Sequence, residues 1–128
     1  MLGFTVETHH AHQLRWTART TPEALVVQAF GQVDAHNESD WQHMLRECAA
    51  TAPERSLFIV DCAEMDFMSC GALVASAKQT ADSRQLGVTM RLVVRQPSIM
   101  RIITKCGMED SVSAYPDLDS ALKGHRPP

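Results

Sequence analysis

The residues of this chain that could do chemistry gather in one run, Asp61-Cys62-Ala63-Glu64-Met65-Asp66-Phe67-Met68-Ser69-Cys70-Gly71. The stretch after it, ALVASAKQTADSRQ, is alanine-rich and reads as a helix with its apolar face on Leu73, Ala77 and Ala81. Ser69 therefore stands at a helix start. Its hydroxyl suits an N-cap, which satisfies an orphan N–H. Cys70 lies in the field of the helix dipole, which favours the thiolate and oxidation chemistry; it equally reads as a small residue packed under the helix start, or as a partner contact. Gly71 and Ala72 permit close approach. Asp34, which follows the apolar run ALVVQAF, and Asp61 are expected at strand ends beside the same loop, so that Asp34, Asp61 and Asp66 make a candidate partner-binding patch with Ser69, Cys70 and Gly71.

Other constellations are weaker. His9, His10 and His12 in HHAH have ligand character but lack a carboxylate beside them, and no metal site is assigned to them. His36 and His43 are seven residues apart, close to two helical turns, which is poor support for ligation. Met65, Met68, Met100 and Met108 read as gap-filling core, with Met68 also suited to a forgiving partner surface. Phosphate-cradling glycine loops, dinucleotide fingerprints, nucleophile elbows and paired-histidine zinc motifs are absent from the sequence, so neither catalysis nor a cofactor is indicated.

The elements that must position the run follow a regular punctuation. LRWTAR alternates apolar and polar residues, a turn at 20–23 follows, and ALVVQAF ends at Gly31, which predicts a hairpin. Asn37 or Ser39 can cap a helix through Trp41, Met44, Leu45 and Cys48 that Pro53 stops. SLFIVD, residues 56–61, is apolar without alternation, as in a central parallel strand covered on both faces, and CAEMDFM is then a loop. Residues 88–94 read as a further strand. Pro97 opens a helix with Ile99, Ile102 and Ile103 that Gly107 ends, and a last short helix carries Leu118, Ala121 and Leu122. Strands alternating with helices predict an α/β sandwich, with Leu25, Val27, Leu57, Ile59, Leu73, Leu92, Val94, Ile103 and Leu122 in its core. Residues 1–13 read as an N-terminal segment, 14–123 as the domain and 124–128 as a tail.

Composition agrees. The 128 residues are 45% apolar with net charge −3, enough for one domain with a real core, and no run is long enough for a membrane span. The start lacks the pattern of a signal peptide, and Cys48, Cys62, Cys70 and Cys106 lack zinc spacing, so a soluble cytoplasmic protein with reduced thiols is expected. Residues 1–76 hold four basic and ten acidic side chains, and residues 77–128 eight and five. The basic residues Lys78, Arg84, Arg91, Arg95, Arg101 and Lys105 are spread out without aromatic interleaving, which reads as a solvated face and not as a nucleic-acid surface.

The order Gly31-Gln32-Val33-Asp34, then the run from Asp61 to Leu73, then Leu92-Val93-Val94 and Pro97 through Cys106-Gly107-Met108, resembles the STAS domain of bacterial anti-sigma-factor antagonists and sulfate transporters, over about residues 14–123. The resemblance implies an α/β fold with a mixed four- to five-stranded sheet and helices packed on it. It also implies a non-enzymatic regulator of transcription that binds an anti-sigma factor, itself a histidine-kinase-like serine kinase, and so frees a sigma factor in a partner-switching circuit. In that family an Asp-Ser pair followed by a small residue and glycine carries the switch, and a phosphate on the serine ends binding. The matching residues here are Ser69-Cys70-Gly71-Ala72. Cys70 occupies the phosphoacceptor position, where a thiol does not serve a serine kinase, and Ser69 at the aspartate position is the local substitute. The other class the resemblance allows is a stand-alone STAS sensor that binds a small anion or nucleotide in the same region.

Overall fold

The structure, a computed structural model, describes residues 7–11 and 13–123. Six strands form one mixed sheet in the order β1-β2-β3-β4-β5-β6: β1 (Glu7–Ala11), β2 (Leu14–Thr20), β3 (Ala24–Val33), β4 (Leu57–Met68), β5 (Thr89–Val93) and β6 (Ala114–Tyr115). The expected hairpin is β2–β3, antiparallel and closed by Thr21, whose backbone N–H and hydroxyl both donate to the Ala24 carbonyl. From β3 onward each strand runs parallel to the next. Three of the connections are the helices α1 (Glu38–Thr51), α2 (Cys70–Gln85) and α3 (Pro97–Lys105), and α4 (Leu118–Lys123) follows β6.

SLFIVD lies in the central strand, and its unbroken apolar character has the expected cause. Phe58 and Val60 face a large core closed by Trp41, Met44 and Leu45 of α1, Leu73 of α2 and Ile99 and Ile103 of α3. Leu57 and Ile59 face a smaller cluster with Val26, Val93 and Ala121, capped by α4. All of the expected core residues are buried except Leu122, which is half-buried against the smaller cluster.

Four expectations change. Residues 7–11, read as part of a segment preceding the domain, are a strand in register with β2, His9 opposite Trp16 and His10 opposite Arg15; His12 and the tail 124–128 lie outside the described residues. CAEMDFM is not a loop: β4 continues through it to Met68, paired to β3 across register shifts at Gln28/Phe30 and Gly31/Gln32. These irregularities break the two-residue period that marks a strand in sequence. The buried face of α2 is Ala72, Leu73, Ser76, Thr80 and Ser83, while Ala81 is exposed. Ser76 and Thr80 return their hydroxyls to carbonyls one turn back, and Ser76 accepts a bond from the Trp41 indole N–H at 3.0 Å, so small polar residues pack tightly against α1. Arg91 is buried, with its guanidinium donating to the Ala121 carbonyl and lying over the Tyr115 ring, so it holds α4 and is no part of a solvated basic face.

Candidate functional site

β3 and β4 end together, and the Ser69 N–H donates to the Val33 carbonyl as their last rung. After Val33 the chain turns at once. Buried Asn37 shapes that turn: its Nδ2 donates to the Gln32 carbonyl and its Oδ1 accepts from the Asp34 N–H, while the Asp34 carboxylate accepts from the His36 N–H. Asn37 thus occupies the N-cap of α1 with its side chain turned back to the strand, and Glu38 becomes the first residue of the helix.

Glu38 joins the two helix starts. Its carboxylate accepts from the Ser69 hydroxyl at 2.7 Å, and the same hydroxyl accepts from the Ala72 N–H at 3.1 Å as the N-cap of α2. Gly71 is required by this contact, since a Cβ on it would fall on the Glu38 carboxylate. A negative group between two helix N-termini is favoured by both dipoles. Ser69 is therefore a working cap, as its residue type and position suggest.

The end of β4 is pinned from the other side by Gln96, at the N-cap of α3. Its amide Nε2 donates to the carbonyls of Cys62, Ala63 and Met65, along the stretch where β4 shifts register against β3. Beyond that point Asp66 and Phe67 stand exposed, and Phe67 leaves 44% of its surface in water. Met68 is fully buried and Met100 is 37% exposed, so Met68 is core and offers no partner surface, and Met100 is not core.

Cys70, the first residue of α2, is exposed, and its Sγ lies 2.7 Å from Sγ of Cys106, the residue that caps the C-terminus of α3. Cys106 is fixed by the turn after it. Gly107, at φ +67°, lets its own N–H reach the Thr104 carbonyl and the Met108 N–H reach the Ile103 carbonyl, the paired bonds of a Schellman ending. The bond to Cys70, with smaller contributions from desolvation and from the Cys70 charge, holds the Cys106 thiol above its ordinary range. Burial pushes the Cys62 thiol up far more strongly, and Cys48 is half-buried against the core.

Asp34, Ser69, Cys70 and Gly71 thus come together where β3 and β4 meet α1 and α2, and Asp66 lies three strand residues away, about 10 Å. Asp61 does not join them. It lies within β4 on the face it shares with Ile59, its carboxylate accepting from the Ala63 N–H, in a shallow depression lined by Thr17, Arg19, Gln28 and Leu118 on the far side of the sheet. Glu38, Phe67, Gln96 and the partnership of Cys106 with Cys70 were missed by sequence reasoning. Of these only Glu38 has a local signal, an acidic residue in the first turn of a helix. Between α1 and α2 the site opens into a groove of about 520 Å³ floored by Ala35, Glu38, Gly71 and Val74, with Val74 54% exposed.

The STAS domain family model matches residues 15–121. The chain is 36% identical over 122 residues to the anti-sigma-F factor antagonist RsfA of Mycobacterium tuberculosis, covering 94% of this chain and 92% of that protein. Among solved structures it is similar to an anti-sigma factor antagonist from Mycobacterium paratuberculosis, with TM-score 0.72, 20% identity and coverage of 89% of this chain and 95% of that one. It is also similar in fold to the unphosphorylated anti-sigma factor antagonist SpoIIAA, with TM-score 0.62, 10% identity and coverage of 96% and 100%. No described helix is long and apolar enough to cross a membrane.

Proposed function

This chain belongs to the STAS domain family, and from that premise we propose that it is an anti-sigma-factor antagonist, a non-enzymatic regulator that binds an anti-sigma factor of the histidine-kinase-like type and thereby frees a sigma factor. The observation that carries the reading is the 36% identity to an antagonist across 94% of the chain. The binding surface is the shared end of β3 and β4 with the start of α2: Asp34, Asp66, Phe67, Cys70 and Gly71. Phe67 and Val74 supply exposed apolar area, and the carboxylates around them supply steering.

Partner switching through a phosphate is altered in this reading. Residue 70 offers no hydroxyl, and the Ser69 hydroxyl is already engaged with Glu38 and Ala72. A phosphate on Ser69 would lose the cap and stand against the Glu38 carboxylate, two costs that a phosphate at an open helix start does not carry. The same carboxylate disfavours a small anion or nucleotide at this helix end, which weighs against the sensor reading.

The test is capture from the native cell with the reduced protein as bait. Retention of an ATPase-like anti-sigma factor, and release of its sigma factor when purified antagonist is added, is the expected result. A bait that retains an anion or nucleotide and no protein would replace this reading with the sensor one.

A further inference from the structure

We propose that the outer face of the sheet carries a binding site for a small zwitterion, a free aliphatic α-amino acid, seated between Arg19 and Asp61. The site needs nothing of the antagonist reading.

Strand alternation and register build it. In β2 the residues Leu14, Trp16 and Ala18 turn to the large core, which leaves Arg15, Thr17 and Arg19 on the opposite face. β3 sets Gln28 beside Thr17 and Val26 beside Arg19, and β4 sets Asp61 beside Gln28. On this face α4 caps the small cluster around Val26, Ile59 and Val93, and the rung of Thr17, Gln28 and Asp61 stays open next to it. The result is a depression of about 360 Å³ in which Val26 and Leu118 are the apolar walls.

Two opposite charges line the depression, and neither is neutralised there. Arg15 and Arg91 on the same face are both engaged, Arg15 over the Phe30 ring and Arg91 with the Ala121 carbonyl and the Tyr115 ring. Arg19 is exposed and has no hydrogen-bond or ion-pair partner among the described residues. Asp61 is half-buried and engages one oxygen, Oδ1, with the Ala63 N–H, which leaves Oδ2 without a donor among the described residues. The registers put the two residues two strands and two positions apart, about 12 Å between Cα atoms, and no ion pair joins them.

Opposite charges that share one hollow without pairing are complementary to a molecule that carries both signs itself. A guanidinium takes a carboxylate through two parallel N–H donors, and a carboxylate takes an ammonium as a compact point charge. An α-amino acid presents both groups on one carbon and leaves its side chain for Val26 and Leu118. The Thr17 hydroxyl and the Gln28 amide, on the strands between, add a further donor and acceptor. A simple anion would meet the Asp61 carboxylate and a simple cation the Arg19 guanidinium, so either half alone is disfavoured. The volume is at the small end of ligand pockets, as a molecule of this size requires. The site lies across the sheet from the surface around Ser69 and Cys70, so occupying one does not block the other.

The test is an amide NMR titration of the reduced native chain with L-alanine, L-valine and L-leucine in turn. It is repeated with L-valinamide, which keeps the ammonium, and with isovalerate, which keeps the carboxylate. Arg19→Gln and Asp61→Asn are titrated alongside; the asparagine keeps an oxygen for the Ala63 N–H, and Arg19 is exposed, so Arg19→Gln still decides the matter should Asp61→Asn unfold. The expected result is saturable shifts at the amides of Thr17, Arg19, Gln28, Asp61 and Leu118 with a Kd of about 1 mM or lower for at least one amino acid, weakened about tenfold or more in each half-molecule and each folded variant. No saturable shift with any of the three at about ten times that concentration would overturn the proposal. So would shifts centred on the start of α2, half-molecules that bind as tightly as valine, or a folded variant that keeps full affinity.

Discussion

The Ser69 hydroxyl donates to the Glu38 carboxylate at 2.7 Å while accepting from the Ala72 N–H, so one hydroxyl ties the start of α1 to the start of α2. Removing it should be felt as a lost cap. Ser69→Ala is expected to destabilise the domain by about 0.5–2 kcal/mol in chemical denaturation. The same geometry predicts that incubation with the cognate kinase and ATP leaves the mass of the native protein unchanged, whereas Cys70→Ser, which restores a free hydroxyl at the family's acceptor position, takes up phosphate. Phosphate on Ser69 of the native chain would show that the cap opens to the kinase.

Gly71→Ala separates site geometry from stability. The new Cβ would displace the Glu38 carboxylate, which sits on a flexible side chain, and so break its bond to Ser69 without disturbing the core. The expected outcome is a change in the denaturant midpoint of about 1 kcal/mol or less, together with a measurable loss of partner affinity in calorimetric titration.

Ile59 is fully buried in the central strand. Ile59→Ala is expected to cost about 2–5 kcal/mol, read from the denaturant midpoint at unchanged slope.

Asp117 provides a pH-dependent element remote from the site. The Ser120 backbone N–H donates to its carboxylate at 2.7 Å, and this bond, with a further one from the Ser120 side chain, holds its pKa below the ordinary 3.8. A carboxyl whose folded pKa is depressed contributes stability that is present above its unfolded pKa and lost as pH falls through the folded value. Protection of the α4 amides against hydrogen exchange should therefore hold from neutral pH down to about pH 5 and weaken below pH 4, and Asp117→Asn should flatten that dependence.

The central strand, the hairpin, the capping serine and the glycine-terminated α3 were legible because each depends on local chemistry: SLFIVD on its apolar run, Ser69 on its hydroxyl, Gly107 on its positive φ. The second half of β4 was not, because its register shifts against β3 interrupt the alternation that identifies a strand. That misreading also put Asp61 at a strand end, when it lies mid-strand on the opposite face from the site. The inner face of α2 was hidden because Ser76, Thr80 and Ser83 look polar in sequence, while in the helix Ser76 and Thr80 satisfy their hydroxyls on carbonyls one turn back, Ser83 accepts from the Gln79 amide, and Ser76 also accepts from the Trp41 indole of α1. Cys106 gave no signal of its own, since its meaning comes from a neighbour 36 residues away.

Release of sigma factor tests the central claim most directly. Reduced protein is titrated into a purified complex of the anti-sigma factor with its sigma factor, and free sigma factor is read by gel filtration at low and moderate salt. The account predicts stoichiometric release by the native chain, weakened and less salt-sensitive for the Asp34→Ala, Asp66→Ala double variant, because the steering carboxylates are gone. A complex that stays intact at excess reduced antagonist, with the domain folded, would contradict it.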